Sequence, residues 1–250
     1  MDLNTDINIL SNLPDLSILS YFLDGKNVNS ISKNEYHGFG DIKTVKSLKR
    51  FDKAINKSLI NCEINEVKTL INSIYSNESI SNDFFLLLFW NLSYNNDFFQ
   101  YLNNNVYFPD LYSGRITIKS SEVQGCIKEL QTMSKMIESW TPITVRKISS
   151  AYLRLLTKLN LLEGGLNKTF KNIYLSDKMF VLFIYWILAI ETKPNLIESQ
   201  WMKYAFCEQD VFLERVRQKK FSKFFQLSYT GDKLKIEPSI PYNKIYEALK

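Results

Sequence analysis

The chain has 250 residues, 45% of them hydrophobic and 14% aromatic, which is enough apolar material for one large or two small domains and too much for wholesale disorder. Glycine (8) and proline (6) are scarce among many segments of helical period, and this favours a mainly α protein. The net charge of +5 permits a polyanion partner without demanding one, so where the cations fall matters more than their sum.

Residues 1–11 are polar and acidic, with no charged-then-apolar signal segment. A short helix is expected over 13–23, opened near Pro14 and Asp15, followed by an Asn/Ser-rich loop over 25–34. The stretch Glu35-Tyr36-His37-Gly38-Phe39-Gly40 lacks phosphate-loop spacing, and His37, the one histidine, reads as a loop or packing residue. Asp41 is placed to cap a helix over 41–61, with Val45, Leu48, Ile55 and Leu59 on its apolar side. Lys43, Lys46, Lys49, Arg50, Lys53 and Lys57 recur three and four apart along the same helix. Cations so aligned repel one another, and only Asp41 and Asp52 are near in sequence. The row is a candidate phosphate-facing surface, or else a solvated face neutralised by acids from elsewhere in the fold.

Residues 63–75 continue in helical period through Val67, Leu70, Ile71 and Ile74, and 76–81 read as a break. Asn82 and Asp83 then cap a very apolar helix over 84–92, which must be central. Asn95, Asn96 and Asp97 start another, carrying Phe98, Phe99, Tyr101 and Leu102. Pro109 and Gly114 make 106–118 read as a connection and a domain boundary. A helix is expected from Ser120 to about Ser139, with Val123, Ile127 and Leu130 inward.

The stretch from Trp140 organises the rest. Thr141 and Pro142 form a helix start, and Val145, Ile148, Tyr152, Leu155, Leu156 and Leu159 define a buried stripe. The opposite side carries Arg146, Lys147, Ser150, Arg154 and Lys158. Asn160 and the pair Gly164-Gly165 end the helical region, and residues 168–174 look like a wing strand with Lys168 and Lys171 at a basic turn. Helix, tight stop and basic wing are the second half of a winged helix-turn-helix, in which the helix enters a DNA major groove and the wing touches the backbone. An amphipathic core helix with a solvated face has the same periodicity.

Asp177 is placed to cap the apolar helix 178–190, which is too short to cross a bilayer of roughly 20 residues' span. Lys193, Pro194 and Asn195 break the chain, 201–206 is a short helix, and 208–220 is amphipathic, with Arg215, Arg217, Lys219, Lys220 and Lys223 at or beyond its end. Residues 224–229 and 233–237 read as a hairpin, and 242–249 as a terminal helix. Helix followed by hairpin repeats the earlier plan. The expected divisions are 1–118, 119–192 and 193–250.

No catalytic arrangement stands out. Cys62, Cys126 and Cys207 are far apart and lack Cys-x-x-Cys spacing, which speaks against a disulfide framework or zinc site and suits a reducing cytoplasm. There is no nucleophile elbow, Walker loop or dinucleotide fingerprint, and no close carboxylate pair for acid–base or metal chemistry. A non-enzymatic protein with no cofactor or metal is expected.

The chain resembles the BrxA family of bacterial BREX phage-exclusion systems. The resemblance runs through the basic helix around 46–57, the apolar helix 84–92 and the entry Trp140-Thr141-Pro142-Ile143-Thr144-Val145-Arg146-Lys147. It continues through Leu155-Leu156, 159–163 and Ile173-Tyr174-Leu175-Ser176. It implies a compact, largely helical protein with winged-helix elements that binds double-stranded DNA without catalysis, beside a methyltransferase, an ATPase and other system members. It also implies a likeness to RNA-binding antitermination proteins. Three readings stay open: a duplex-DNA binder without a membrane role, a helical scaffold for acidic protein partners, and an RNA binder. For the first, Arg146, Lys147, Ser150 and Arg154 face the groove and Lys168 and Lys171 hold the wing to phosphates. Lys46, Lys49, Arg50, Lys53 and Lys57 extend the footprint.

Overall fold

The computed structural model describes residues 4–14, 16, 19–23, 42–60, 62–78 and 80–250. His37, Asp41 and the loop expected over 25–34 lie outside them. The protein is mainly α, with two small antiparallel sheets. The chain divides into two units, one of residues 1–61 and 80–172, the other of residues 62–79 and 173–250. These divisions fall elsewhere than at 118 and 192. Position 118 cannot separate units because it lies in a strand that pairs with residues 168–170.

In the first unit, α1 (Asp6–Leu10) packs against both α3 (Val45–Ile55) and α9 (Pro142–Lys158), while α2 spans Leu19–Leu23. Nothing in the polar N-terminal stretch forecasts α1, yet its Ile7 and Leu10 are buried. Thr44 caps α3, accepting from the Ser47 amide at 3.2 Å. The helix then widens into a π-helical turn, Asn56–Ile60. Such a turn breaks the regular ladder and leaves carbonyls in need of donors. Two asparagines of α5 (Asn82–Asn95) supply them: Asn91 Nδ2 donates to the Leu59 carbonyl at 2.6 Å and Asn95 Nδ2 to that of Ser58 at 3.3 Å. This explains a fully buried asparagine on a helix otherwise lined by Phe84, Leu87, Leu88, Phe89 and Trp90.

Ser81, not Asn82 or Asp83, caps α5, and Asn96 caps α6 (Asp97–Leu102). The helix then continues through a second π-helical turn, Asn103–Tyr107, into α7 (Phe108–Tyr112). The expected connection at 106–118 is therefore helical to Tyr112. Pro109 is accommodated because it sits in the first turn of α7, where a missing N–H costs little. The next helix, α8 (Ser120–Met133), stops short of the expected Ser139. Gln131 Nε2 donates to the carbonyls of Ile137 and Trp140, folding the following turn back on the helix.

A three-stranded sheet completes the unit: β1 (Thr117–Ile118), β2 (Leu162–Glu163) and β3 (Lys168–Phe170), in the order β1-β3-β2. Neither β1 nor β2 has a readable signal, since two residues carry no period. The strand expected over 168–174 ends at Phe170.

A buried polar chain anchors α9. Tyr152 Oη donates to Asn103 Oδ1 at 2.8 Å, Asn103 Nδ2 donates to Ser93 Oγ at 3.0 Å, and Ser93 Oγ donates to the Phe89 carbonyl at 2.7 Å. The Tyr152 ring also meets Phe99 edge to face, 5.6 Å between centroids.

The second unit wraps α4 (Asn65–Glu78) and β5 (Leu234–Pro238) around α10 (Asp177–Ile190). Ser176, not Asp177, caps α10. The helix is buried on all sides from Met179 to Ile187, as its unbroken apolar sequence requires. The remaining elements are α11 (Gln209–Val216), β4 (Phe225–Tyr229), which pairs with β5, and α12 (Ile245–Ala248). Asn195 pins the hairpin turn: its amide donates to the Asp232 carbonyl at 2.9 Å and its oxygen accepts from the Leu234 amide at 3.0 Å.

The buried polar chain yields a prediction. Tyr152→Phe leaves Asn103 Oδ1 buried without its donor, so the unfolding free energy falls by about 1–3 kcal/mol, read from denaturant midpoints.

Candidate nucleic-acid interface

The side chains of α9 divide as its period dictates. Thr141 accepts from the Thr144 amide at 3.3 Å, and Pro142 occupies the first turn. Val145, Ile148, Tyr152, Leu155, Leu156 and Leu159 are buried. Ile143, Arg146, Lys147, Ser150 and Arg154 are exposed. At about 100° per residue these five fall within an arc of roughly 100°. With Asn8 of α1 they line one groove of ≈ 490 Å³. Its lining runs from the apolar Ile143, 68% exposed, to the guanidinium of Arg154.

Lys158 does not join this stripe. It is half-buried, and its ammonium donates to the Leu13 carbonyl at 2.6 Å, tying α9 to the segment after α1.

Pairing fixes the faces of the wing. Lys168 stands opposite Ile118 and Phe170 opposite Leu162, and Ile118 and Leu162 are buried. Lys168 is therefore on the inner face, toward α9. Its ammonium donates to the Gly164 carbonyl at 2.7 Å. Burial first, and then the Arg154 guanidinium, push the Lys168 ammonium below the ordinary lysine range. Two cations, one from the helix and one from the wing, thus adjoin. Gly164 makes the turn possible: its φ is +88°, and a Cβ there would lie 2.4 Å from the Asn167 carbonyl oxygen.

Lys171 is placed differently from the wing role expected for it. Its ammonium donates to Asn160 Oδ1 at the C-terminal end of α9, where a cation suits the helix dipole. Asn160 has φ 63° and donates in turn to Asn82 Oδ1 at 2.9 Å.

On α3, Lys46, Lys49, Arg50 and Lys53 are exposed, as are Lys43 just before it and Lys57 in the π-helical turn that follows, while Leu48, Ala54 and Ile55 are buried. Asp52 accepts from Asn56 Nδ2 at 2.8 Å, and burial pushes its carboxyl up. Among the described residues, no carboxylate forms an ion pair with any of these α3 cations, nor with Arg146, Lys147, Arg154, Lys168 or Lys171. The structure thus gathers Arg146, Lys147, Ser150 and Arg154 in one groove and adds Lys168 at its edge. The α3 row is a second exposed face, linked to α9 through α1.

The basic segment of the second unit behaves otherwise. Arg215 and Lys220 converge on Asp177 at 3.0 and 2.5 Å, and Lys220 followed by Arg215 holds that carboxyl below its usual range. Arg215 also donates to the Leu175 carbonyl and lies over the rings of Tyr174 and Phe180. Two of its cations are internal partners.

Sequence reading did not find Asn8 or Ile143 as groove residues. Asn8 is remote along the chain, and Ile143 resembles core until the helix phase is known. Among the described residues, no group of histidine, cysteine, aspartate and glutamate could hold a metal ion, and no helix is long and apolar enough to cross a membrane.

These features define a mainly α protein with a helix, beside a small sheet, whose exposed cations pair with no carboxylate among the described residues. The chain belongs to the BrxA family, whose model matches residues 43–184, more than half of the chain. That membership makes it a component of the BREX phage-defence type. No curated protein and no solved structure matches the chain.

The proximity of Arg154 and Lys168 is open to titration. Arg154→Gln moves the Lys168 pKa upward but leaves it below that of an ordinary lysine, because burial remains. Side-chain NMR of Lys168 across alkaline pH reads the shift.

Proposed function

We propose that this protein binds double-stranded DNA through α9 and the β2–β3 wing, as a non-enzymatic accessory of a BREX phage-defence system. The observation that carries the reading is the α9 stripe: Arg146, Lys147, Ser150 and Arg154 exposed in one groove, with no carboxylate paired to its cations among the described residues. Cations kept together at this spacing repel in the free protein, and a polyanion relieves that repulsion while releasing its own counterions. The element order also supports a winged helix-turn-helix: β1, then α8, a turn, α9 and the β2–β3 hairpin, with β1 closing the sheet.

Several features favour duplex DNA over RNA. A helix fits the roughly 12 Å wide major groove of B-DNA, whereas the A-form major groove is too narrow to admit one. On the first unit's interior, Phe89, Phe99, Tyr107 and Tyr152 are buried, and the exposed Tyr174 has Arg215 over its ring, so none of these five is an open platform for unpaired bases. In this reading Ile143 meets thymine methyls and Ser150 meets base or phosphate oxygens. Lys168 meets a phosphate shared with Arg154, and Lys46, Lys49, Arg50, Lys53 and Lys57 carry flanking backbone. Other system members, a methyltransferase and an ATPase among them, are the proposed protein partners.

The test is the double variant Arg146→Ala with Lys147→Ala. It keeps the wild-type melting temperature within a few degrees, weakens duplex binding at least tenfold, and lowers the log–log salt slope by about 1.8. Unchanged binding by the folded variant, or equal competition by duplex RNA, overturns the reading.

A further inference from the structure

We infer that the wing tip is an apolar wedge, and that the protein bends the duplex it binds by pressing Leu166 between base pairs from the minor groove. The inference rests on the duplex-DNA reading and adds an activity to it.

Leu166 is the most exposed apolar side chain among the described residues, at 104% of its reference area. It sits in the middle of the four-residue turn 164–167 that joins β2 to β3. A leucine held wholly in water adds no burial to folding, and a lone exposed apolar residue is ordinary on a surface; the braced turn and its neighbouring cations are what single this one out. The turn that carries it is braced. Gly164 closes against the Asn167 carbonyl at a φ of +88°, and the Lys168 ammonium bonds to the Gly164 carbonyl at 2.7 Å. A wedge needs such bracing, because a floppy tip would fold away rather than pry adjacent base pairs apart.

Cations frame the tip. Lys168 follows it in the chain, adjoining Arg154. The β1 strand ends at Ile118 opposite Lys168, so the exposed Lys119 comes next along the same edge. Flanking ammoniums would hold the phosphates on either side of an opened step, and an aliphatic tip cannot favour one base by hydrogen bonding. Apolar side chains from a protein in the minor groove unstack steps in this manner. Pyrimidine–purine steps deform most easily, so the wedge selects them without a base contact.

The experiment uses the full chain and a duplex labelled at both ends with a donor–acceptor pair, containing a central TA step. Binding is followed by anisotropy and bending by energy transfer. The wild-type protein brings the ends closer. Leu166→Ser binds more weakly and, at protein concentrations that saturate the anisotropy, leaves the duplex straight, while Leu166→Phe, still an apolar wedge, restores the bend. A duplex that stays straight under bound wild-type protein overturns the wedge and leaves the binding reading intact. So does Leu166→Ser bending DNA as the wild type does. Absence of any duplex binding by the wild type removes both.

Discussion

Burial of one side of α9 is the constraint on which the rest depends. Val145, Ile148, Tyr152, Leu155 and Leu156 have only one way to leave water, against α8 and the interior of the first unit. Once they are placed, the helix phase points Ile143, Arg146, Lys147, Ser150 and Arg154 outward together. The hydrogen-bonded chain from Tyr152 through Asn103 to Ser93 locks that phase, because a rotation of the helix would strand buried polar groups. The orientation of the charged stripe is therefore set from within.

Electrostatics distinguishes the two units. Both place a helix before a β-hairpin and both gather basic side chains there. In the second unit Asp177 takes up Arg215 and Lys220, and aromatic rings lie under Arg215. Those cations serve the fold. In the first unit no acid among the described residues pairs with Arg154 or Lys168, and burial first, then the Arg154 guanidinium, hold the Lys168 ammonium below its ordinary range. An arrangement that disfavours its own charge is poised for an external anion, and this is the physical content of the DNA-binding proposal.

The two π-helical turns show how irregular backbone is tolerated around this site. Each lies where a helix would otherwise run on, at Asn56–Ile60 and Asn103–Tyr107. Asparagines serve both: Asn91 and Asn95 reach the carbonyls of the first, and Asn103 opens the second while bonding Tyr152. At these positions asparagine amides are internal donors of a helical unit.

Much of the fold was legible in the sequence because helices write a 3.6-residue period. The apolar runs of α5 and α10, the two faces of α9 and the cation row of α3 follow directly from spacing. Membership in the family was legible from the entry to α9 and its patterned neighbours. What needed the tertiary structure is what carries no period. The two-residue strands β1 and β2 exist only by pairing with β3, α1 is helical by packing on α3 and α9, and Pro109 falls in the first turn of α7. The site divides the same way. The sequence alone determined which cations share a face of α9, since phase is local. Only the folded chain decided that Lys168 comes near Arg154, that Lys158 and Lys171 turn to internal oxygens, and that Asp177 takes up Arg215 and Lys220, because those choices depend on which distant groups a long side chain can reach.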